Sequence, residues 1–500
     1  MSLIFLSIIL VYVSAMLIMS YFSSRGKLTR TSFFGGEKNS KWYVVAISMI
    51  GTSISGVTFI SVPGMVGVSQ FSYMQMVLGF VAGYFLIAYI LLPLYYKLNM
   101  YSIYGYLDRR YGNGSYKTGA LYFLISKFLI GGVRMYLTAL VLQVVLFTPL
   151  GIPFGLNVTV TMLVIWLYTF RGGVRSLIRT DMIQTLSMIA AVVLCIVFIA
   201  DYMSLDVRGL FNAIVSDPMS DAWHFDDFKD GRFFWKQFLA GMFTTVAMTG
   251  LDQDMMQKNL SCRNLKEARK NVLSYGFGFI PVNLLFLSLG VLLYQYGATV
   301  GLCGADGGLI GIKSDELFPV LATGVNPATG SPYLPAVVGG LFVLGLVAAA
   351  FSSAGSALTA LTTTVTVDML RADRKDEKSL VRTRRIVHIV NAVLLGLLIY
   401  GFRHIGQGSV IDVLYTLASY TYGPLLGLYF FGLYTKRSPR DRFVPLVCIL
   451  SPVLCYVLSS NSEVWFDGYR MGYELLLVNA LLTMAGLWLL SLGRPALKQS

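Results

Sequence analysis

The sequence predicts an all-α polytopic membrane protein with about thirteen transmembrane helices, and three observations carry that prediction. Charged residues make up 13% of the 500 positions and hydrophobic residues 56%, whereas a soluble globular chain carries about a quarter charged residues. Apolar runs near 20 residues recur from end to end, the length that crosses a hydrocarbon core of about 30 Å. The basic residues are also one-sided. With spans near 3–21, 42–69, 74–97, 118–148, 156–170, 181–203, 233–254, 271–297, 333–369, 385–401, 408–434, 443–460 and 471–491, 30 of the 39 Lys and Arg fall on one face, 7 on the other and 2 within spans. That asymmetry follows the positive-inside rule. It places Arg25, Lys27, Arg30, Lys38 and Lys41 in the cytoplasm, the N-terminus outside and the C-terminus in the cytoplasm, in a multi-pass protein of the cell inner membrane. The net charge of +14 then serves topology and contact with anionic lipid, not nucleic acid. No segment is long enough for a separate soluble domain.

Span one has no basic residue ahead of its apolar run, and its Arg/Lys cluster follows it. A retained helix is therefore expected rather than a cleaved signal peptide. Span two is interrupted. Its middle reads Gly51-Thr52-Ser53-Ile54-Ser55-Gly56, with Pro63-Gly64 beyond, and glycines and hydroxyl residues weaken a helix. Lipid cannot satisfy carbonyls freed at mid-membrane depth, so this backbone must face protein, water or an ion. Discontinuous helices near the midplane mark substrate or ion sites in transporters built from inverted repeats. A tightly packed Gly/Ser helix interface is the competing reading.

Span four carries two intramembrane cations. Arg134 lies 17 residues beyond Lys117, about 25 Å along a helix that rises about 1.5 Å per residue. An arginine at that depth costs at least about 2.5–3.5 kcal/mol, so something must compensate it. Either a solute carboxylate pairs with it bidentately, or it braces the bundle through internal carbonyls or an acid such as Asp181. Lys127, seven residues earlier on the same face, is expected to reach towards the cytoplasm.

Two outer connections are long. Residues 204–232 hold Asp206, Asp217, Asp221, Asp226, Asp227 and Asp230 among aromatics, which fits a short interfacial helix. Residues 298–332 carry Gly301, Gly304, Gly307, Gly308 and Gly311 and lead to Pro332 and Pro335, which fits either a mobile gate or a plain connector. Span nine contains Ala348-Ala349-Ala350-Phe351-Ser352-Ser353-Ala354-Gly355-Ser356, and Ser352, Ser356, Thr359, Thr363 and Thr366 share one helical face. Such a stripe can serve packing alone. Carbonyls of the broken helix together with the two adjacent hydroxyls would instead make a neutral site for a small cation.

The remaining residues narrow the alternatives. Cys195, Cys262, Cys303, Cys448 and Cys455 form no CxxC and no paired framework. His224, His388 and His404 are scattered, so no metal or haem pair can be drawn for a membrane enzyme. A channel is disfavoured because a broken helix in one chain replaces rings of repeated pore segments. A sensor with an appended kinase is disfavoured by the short stretch after the last span.

At these residues the chain resembles the sodium/solute symporter family, whose members carry sugars, sialic acid, proline, vitamins and iodide. The matching pieces are Phe34-Gly35-Gly36 through Trp42, Ile47 to Phe59, and Tyr136-Leu137-Thr138-Ala139-Leu140. Further along come Gly172-Gly173 through Thr180-Asp181, Asp252-Gln253 with Gln257, Ala349 to Ser356, and Gly423-Pro424. The resemblance implies a LeuT-type core of two five-helix inverted repeats, here 42–203 and 233–434. Residues 1–41 would form an extra helix and cytoplasmic loop, 204–232 an outer loop, and 435–500 two further helices and a tail. It also implies a main sodium site from the carbonyls of Gly51, Ile54 and Ala349 and the hydroxyls of Ser352 and Ser353. A second sodium would use Asp181 and Ser356, although Gly355 replaces one hydroxyl ligand. The solute would lie beside Ser53, Ser55, Thr58, Thr245, Thr249 and Tyr415, and Arg134, read above either as an anion clamp or as a brace, has no counterpart at its own position in this resemblance. Related sialic acid transporters place their arginine one turn earlier, at Ile130. The glutamate and asparagine of galactose-type pockets are absent at the aligned Val77 and Thr245, which argues against a simple sugar.

The expected function is thus sodium-coupled symport of a small organic solute by alternating access. The solute would be a carboxylate such as a sialic acid or another organic anion; the alternative is a neutral sugar, polyol, amino acid or vitamin. Sodium is the expected cofactor, solute, sodium and lipid the expected partners, and a monomer the expected unit.

Overall fold

The computed structural model describes residues 2–23, 40–98, 102–170, 173–304, 308–327, 329–374, 376–403, 410–469 and 471–493. Arg25, Lys27, Arg30, Lys38, the Phe34-Gly35-Gly36 motif, Gly172, Gly307 and His404 lie outside the described residues. Every one of the thirteen segments read from the sequence falls on helix. Along the chain these are α1 (Ser2–Ser23), the pair α2 (Trp42–Ser53) and α3 (Gly56–Gly64), α4 (Tyr73–Leu86), α5 (Asn113–Leu142), α6 (Phe154–Thr169) and α7 (Gly173–Tyr202). A short outer helix α8 (Val207–Val215) precedes α9 (Phe234–Thr245), α10 (Gln253–Asn259) and α11 (Leu265–Thr299). After α12 (Leu317–Thr323) come α13 (Ala336–Thr364), α14 (Glu377–Phe402), α15 (Val410–Tyr434), α16 (Val444–Ser460) and α17 (Leu475–Leu490).

Among the described residues, eight helices are long and apolar enough to cross a bilayer, and α2 with α3 makes a ninth as a bent pair. The sequence places α13 at the centre. Its Gly, Ala, Ser and Thr side chains are small, which lets neighbouring backbones approach closely, and nearly the whole helix is buried. It packs against α7, α5, α14 and both halves of the bent pair. By contrast α1 and α16 leave Leu10, Val11, Ile449 and Leu454 exposed, as lipid-facing helices must.

A second close contact joins α4 to α9. A Cβ on Gly79 would overlap the Phe238 carbonyl, and one on Gly241 would overlap that of Met76, so each helix has a glycine where the other's backbone crosses. At the outer face, α8 is capped by Asp206, whose carboxylate accepts from Gly209 N at 2.7 Å, which is the interfacial helix read from 204–232. The second outer loop is ordered around α12. Phe318 stacks on Phe59 of α3 at 5.7 Å, and the Asp315 carboxylate accepts from Val410 N at 3.2 Å. That loop therefore lies against the outer half of the bent pair and the start of α15.

Candidate functional site

The bent pair breaks where the glycines and hydroxyls predict. Ile54 (φ −79°, ψ 107°) and Ser55 (φ −102°, ψ 177°) are extended, and the axes of α2 and α3 differ by 62°. Ile54 and Ser55 are both buried, so carbonyls at the end of α2 lose their helical donors away from water. The central helix α13 packs against both halves of the bent pair and buries Ala349, Ser352 and Ser353. Helical hydroxyls commonly bond back to the i−4 carbonyl, as Thr362 does to Leu358 O at 2.7 Å. Ser352 Oγ does not: it is buried and without a partner. Leaving such a group unsatisfied costs about 1–3 kcal/mol. A buried hydroxyl without a partner and carbonyls freed at a helix break are oxygen ligands of the kind a desolvated sodium ion takes, so Gly51, Ile54, Ala349, Ser352 and Ser353 have the chemistry to hold that ion.

The residues read for a second ion have a different occupant. Asp181 of α7 and Ser356 of α13 both hold the ammonium of Lys258, at 2.5 Å to Asp181 Oδ2 and 2.6 Å to Ser356 Oγ. The third Lys258 proton goes to Thr52 Oγ1. Lys258 and Asp181 side chains are fully buried. Asp181 is therefore not the partner of Arg134, which removes one of the two bracing groups considered for that arginine. Gly355 has its own explanation. The Tyr168 hydroxyl donates to Phe351 O and fills the space that a Cβ on residue 355 would occupy.

The solute side is a single cavity. Ser53, Ser55, Thr58, Arg134, Thr245, Thr249 and Tyr415 all line it. Tyrosines complete the wall: Ser53 and Tyr275 share a hydroxyl contact, Tyr84 packs on Tyr275 at 4.6 Å between ring centroids, and Tyr73 OH meets Tyr415 OH at 3.2 Å. Lys127 also lines the cavity, and it does not reach for the cytoplasm. Its ammonium lies 2.8 Å from Asp254 and 3.2 Å from Asp252, because two buried carboxylates nearby stabilise it more than distant water does. Arg134 makes no ion pair among the described residues, and its Nε is buried without a partner. Asp254 Oδ1 is likewise buried and unpartnered.

Asp252 and Asp254 belong to a second break that the sequence reading missed. After α9 a π-helical turn runs over Val246–Gly250, Leu251 and Asp252 leave helical geometry, and α10 restarts at Gln253. Asp252 caps α10 by accepting from Asp254 N at 2.8 Å, and it also accepts from Tyr422 OH at 2.5 Å. Gly250-Leu251 followed by Asp252-Gln253-Asp254 was the available signal, but it coincides with the expected end of an apolar span. His388 is structural, bonded to Thr169 Oγ1 at 3.0 Å and Thr362 Oγ1 at 2.8 Å. All five cysteines are free and buried.

Comparison with known proteins adds five findings. The family model described as the sodium:solute symporter family matches residues 33–441. The sodium/sialic acid symporter SiaT of Proteus mirabilis is 25% identical over 473 residues, covering 91% of this chain and 90% of its own. The sodium-coupled monocarboxylate transporter 1 of Mus musculus is 26% identical over 425 residues, covering 82% of this chain and 65% of its own. Among solved structures, a substrate-bound, outward-open Na+-coupled sialic acid symporter is similar with TM-score 0.80 at 20% identity over 99% of both chains. Mhp1, a nucleobase-cation-symport-1 family transporter in a closed conformation with bromovinylhydantoin bound, gives 0.58 at 14% identity, covering 92% of this chain and 94% of its own. At these identities the structures speak for the fold, which is a LeuT-type transporter core.

Proposed function

The chain belongs to the sodium:solute symporter family, and from that premise we propose that the solute it carries with sodium is an organic anion held by Arg134. Sodium-coupled symport of a small solute is the family's activity, and a multi-pass membrane protein fits the long apolar helices described above. The observation that carries the anion is the contrast between the cavity's two cations. Lys127 is neutralised by two carboxylates, whereas Arg134 meets none and keeps a buried donor unpartnered. A planar guanidinium in that state matches a carboxylate bidentately. Sialic acids and monocarboxylates, named for the relatives, both present one.

The other end of the cavity supports a finer reading. Arg134 and Lys127 are seven residues apart on α5, about 10 Å along its axis. Asp254 Oδ1 lies beside Lys127 without a donor. A solute with a carboxylate at one end and hydroxyl or amine donors at the other meets both needs. The hydroxyls of Ser53, Ser55, Thr58, Thr245 and Thr249 serve its middle, and the Tyr73–Tyr415 contact stands beside it.

Gly51, Ile54, Ala349, Ser352 and Ser353 are the residues we assign to the coupling ion. Gly51 and Ile54 stand at the break whose Ser53 and Ser55 also line the solute cavity, so ordering the break for one ligand favours the other by linkage. The paired breaks, one in each of 42–203 and 233–434, support two inverted repeats. The basic asymmetry supports an N-terminus outside and a C-terminus in the cytoplasm, in a protein of the cell inner membrane. Uptake into proteoliposomes under an imposed sodium gradient tests the reading. Sialic acid and small monocarboxylates should enter with sodium and not with potassium or choline. Sodium-driven uptake of neutral sugars but of no carboxylate would overturn the anion assignment.

A further inference from the structure

An apolar groove on the lipid-facing side of the bundle ends at a row of basic residues. We propose that one anionic phospholipid is held there, with an acyl chain lying between α6 and α14 and its phosphate at the start of α14.

The groove follows the line along which these two helices pack. Its volume is 570 Å³, inside the range of about 300–1,000 Å³ typical of small-molecule sites. It is lined from Gly155 to Trp166 on α6 and from Ile389 to Tyr400 on α14, about 16 Å along each axis. That is close to half of a hydrocarbon core of about 30 Å, the depth of one leaflet and so of one extended chain. Glycines hold the groove open rather than bring the helices together. A Cβ on Gly155 would meet only Tyr400 at 3.6 Å, and one on Gly396 only Met162 at 3.6 Å, both ordinary van der Waals distances. Gly79 and Gly241, by contrast, stand where another backbone leaves no room. The Thr159 hydroxyl is taken up by Gly155 O at 2.8 Å, so the wall presents hydrocarbon.

Charge identifies the occupant. Lys378, Arg382 and Arg385 precede Ile389, Ala392, Gly396 and Tyr400 at intervals of three or four, so they continue the groove-lining face of α14. All three are exposed. Arg385 lies over the Phe170 ring at 5.8 Å, and Phe170 packs on Trp166 at 4.9 Å, which joins the basic end to the groove. Basic side chains clustered at a bilayer surface attract anionic headgroups. The indole N–H of Trp166 is buried without an acceptor among the described residues, and it belongs to the end of the groove where the ester oxygens of such a lipid would come. A neutral lipid would leave the three cations unanswered. Both α6 and α14 also pack on α13 and α5, so the lipid would brace the helices that carry Ser352 and Arg134 without touching either residue.

The test uses the full-length chain purified in detergent, with thermal-shift titration for affinity and native mass spectrometry for stoichiometry. Phosphatidylglycerol should be retained at one molecule per chain and raise the melting temperature. Phosphatidylcholine with the same chains should bind about 100-fold more weakly, as three basic residues near the headgroup imply. Arg382→Gln with Arg385→Gln should weaken phosphatidylglycerol about 30-fold and phosphatidylcholine less than threefold. Gly396→Leu fills the groove and should remove the bound lipid. Phosphatidylglycerol with brominated chains should quench more of the wild-type fluorescence than of Trp166→Phe, which keeps the inference testable if Gly396→Leu does not fold. Equal binding of the two lipids, undiminished retention by folded Gly396→Leu, or equal quenching of wild type and Trp166→Phe would overturn the inference. So would a dimer that Gly396→Leu converts to monomer, since a second copy of the chain would then be the occupant.

Discussion

Replacing Arg134 with methionine separates an anion clamp from a structural brace, because the two roles predict opposite signs. Methionine keeps the length and helix propensity of the side chain and removes only the guanidinium. If Arg134 holds a carboxylate bidentately, each charge-assisted bond contributes about 1.5–3 kcal/mol. Arg134 is only half-buried on the cavity wall, so screening lowers the pair to about 2–3 kcal/mol in total. At 1.4 kcal/mol per tenfold, the apparent affinity for carboxylates should fall by about 30- to 150-fold. Methyl esters of the same acids should lose less than about threefold, since they present no negative charge for the arginine to meet. Stability without solute should move the other way. An uncompensated arginine at mid-membrane depth costs at least about 2.5–3.5 kcal/mol on insertion scales, and removing it should leave the solute-free melting temperature unchanged or raised. Uptake into proteoliposomes for acid and ester, together with thermal unfolding of solute-free protein in detergent, supplies both readouts. Equal loss for acid and ester with a lowered melting temperature would show that Arg134 braces the bundle.

Other expectations follow from the same geometry. Ser352→Ala deletes an oxygen that has no protein partner, so it should raise the sodium concentration for half-maximal uptake about tenfold or more while leaving the potassium-medium melting temperature nearly unchanged. Gly355→Ala forces the Tyr168 hydroxyl off Phe351 O; overpacking of this kind costs about 1–3 kcal/mol, visible as a lower melting temperature. Lys127→Met strands Asp252 and Asp254, a loss of about 3–5 kcal/mol for a broken buried pair, and should reduce the yield of folded protein measured by size-exclusion chromatography. Adding Asp254→Asn to Lys127→Met removes one of the stranded charges and should recover part of that yield.

What the sequence disclosed and what it hid divide along physical lines. The break at Ile54–Ser55 was legible because two glycines and three hydroxyl residues within six positions are costly in a lipid-embedded helix, and cost of that kind is local. The seven residues read for the solute, which all line one cavity, were picked out through the same break, through membrane depth and through resemblance. The break at Leu251–Asp252 was not, because polar residues after Gly250 look the same whether a span ends or unwinds. Lys258 reads as one more cytoplasmic cation in the charge count. Only its partner, 77 positions away at Asp181, shows that it is buried. Lys127 misleads in the same way, since snorkelling is the default for a lone lysine and its two carboxylates lie in the second break and just beyond it. Gly355 looks like a missing ligand until Tyr168, from α6, is seen to fill the gap.

The Lys258–Asp181 pair also bears on the electrical character of the cycle. A lysine bound covalently to the chain returns with it, so its displacement within the field can alter how fast the protein reorients but not where accumulation stops. Membrane voltage supplies about 2.3 kcal/mol per charge per 100 mV, and it acts on accumulation only through the net charge that solute and sodium carry together. A monovalent anion entering with one sodium ion would move no net charge, and its ceiling would be the sodium ratio alone: a tenfold gradient, about 1.4 kcal/mol, would support a tenfold solute gradient.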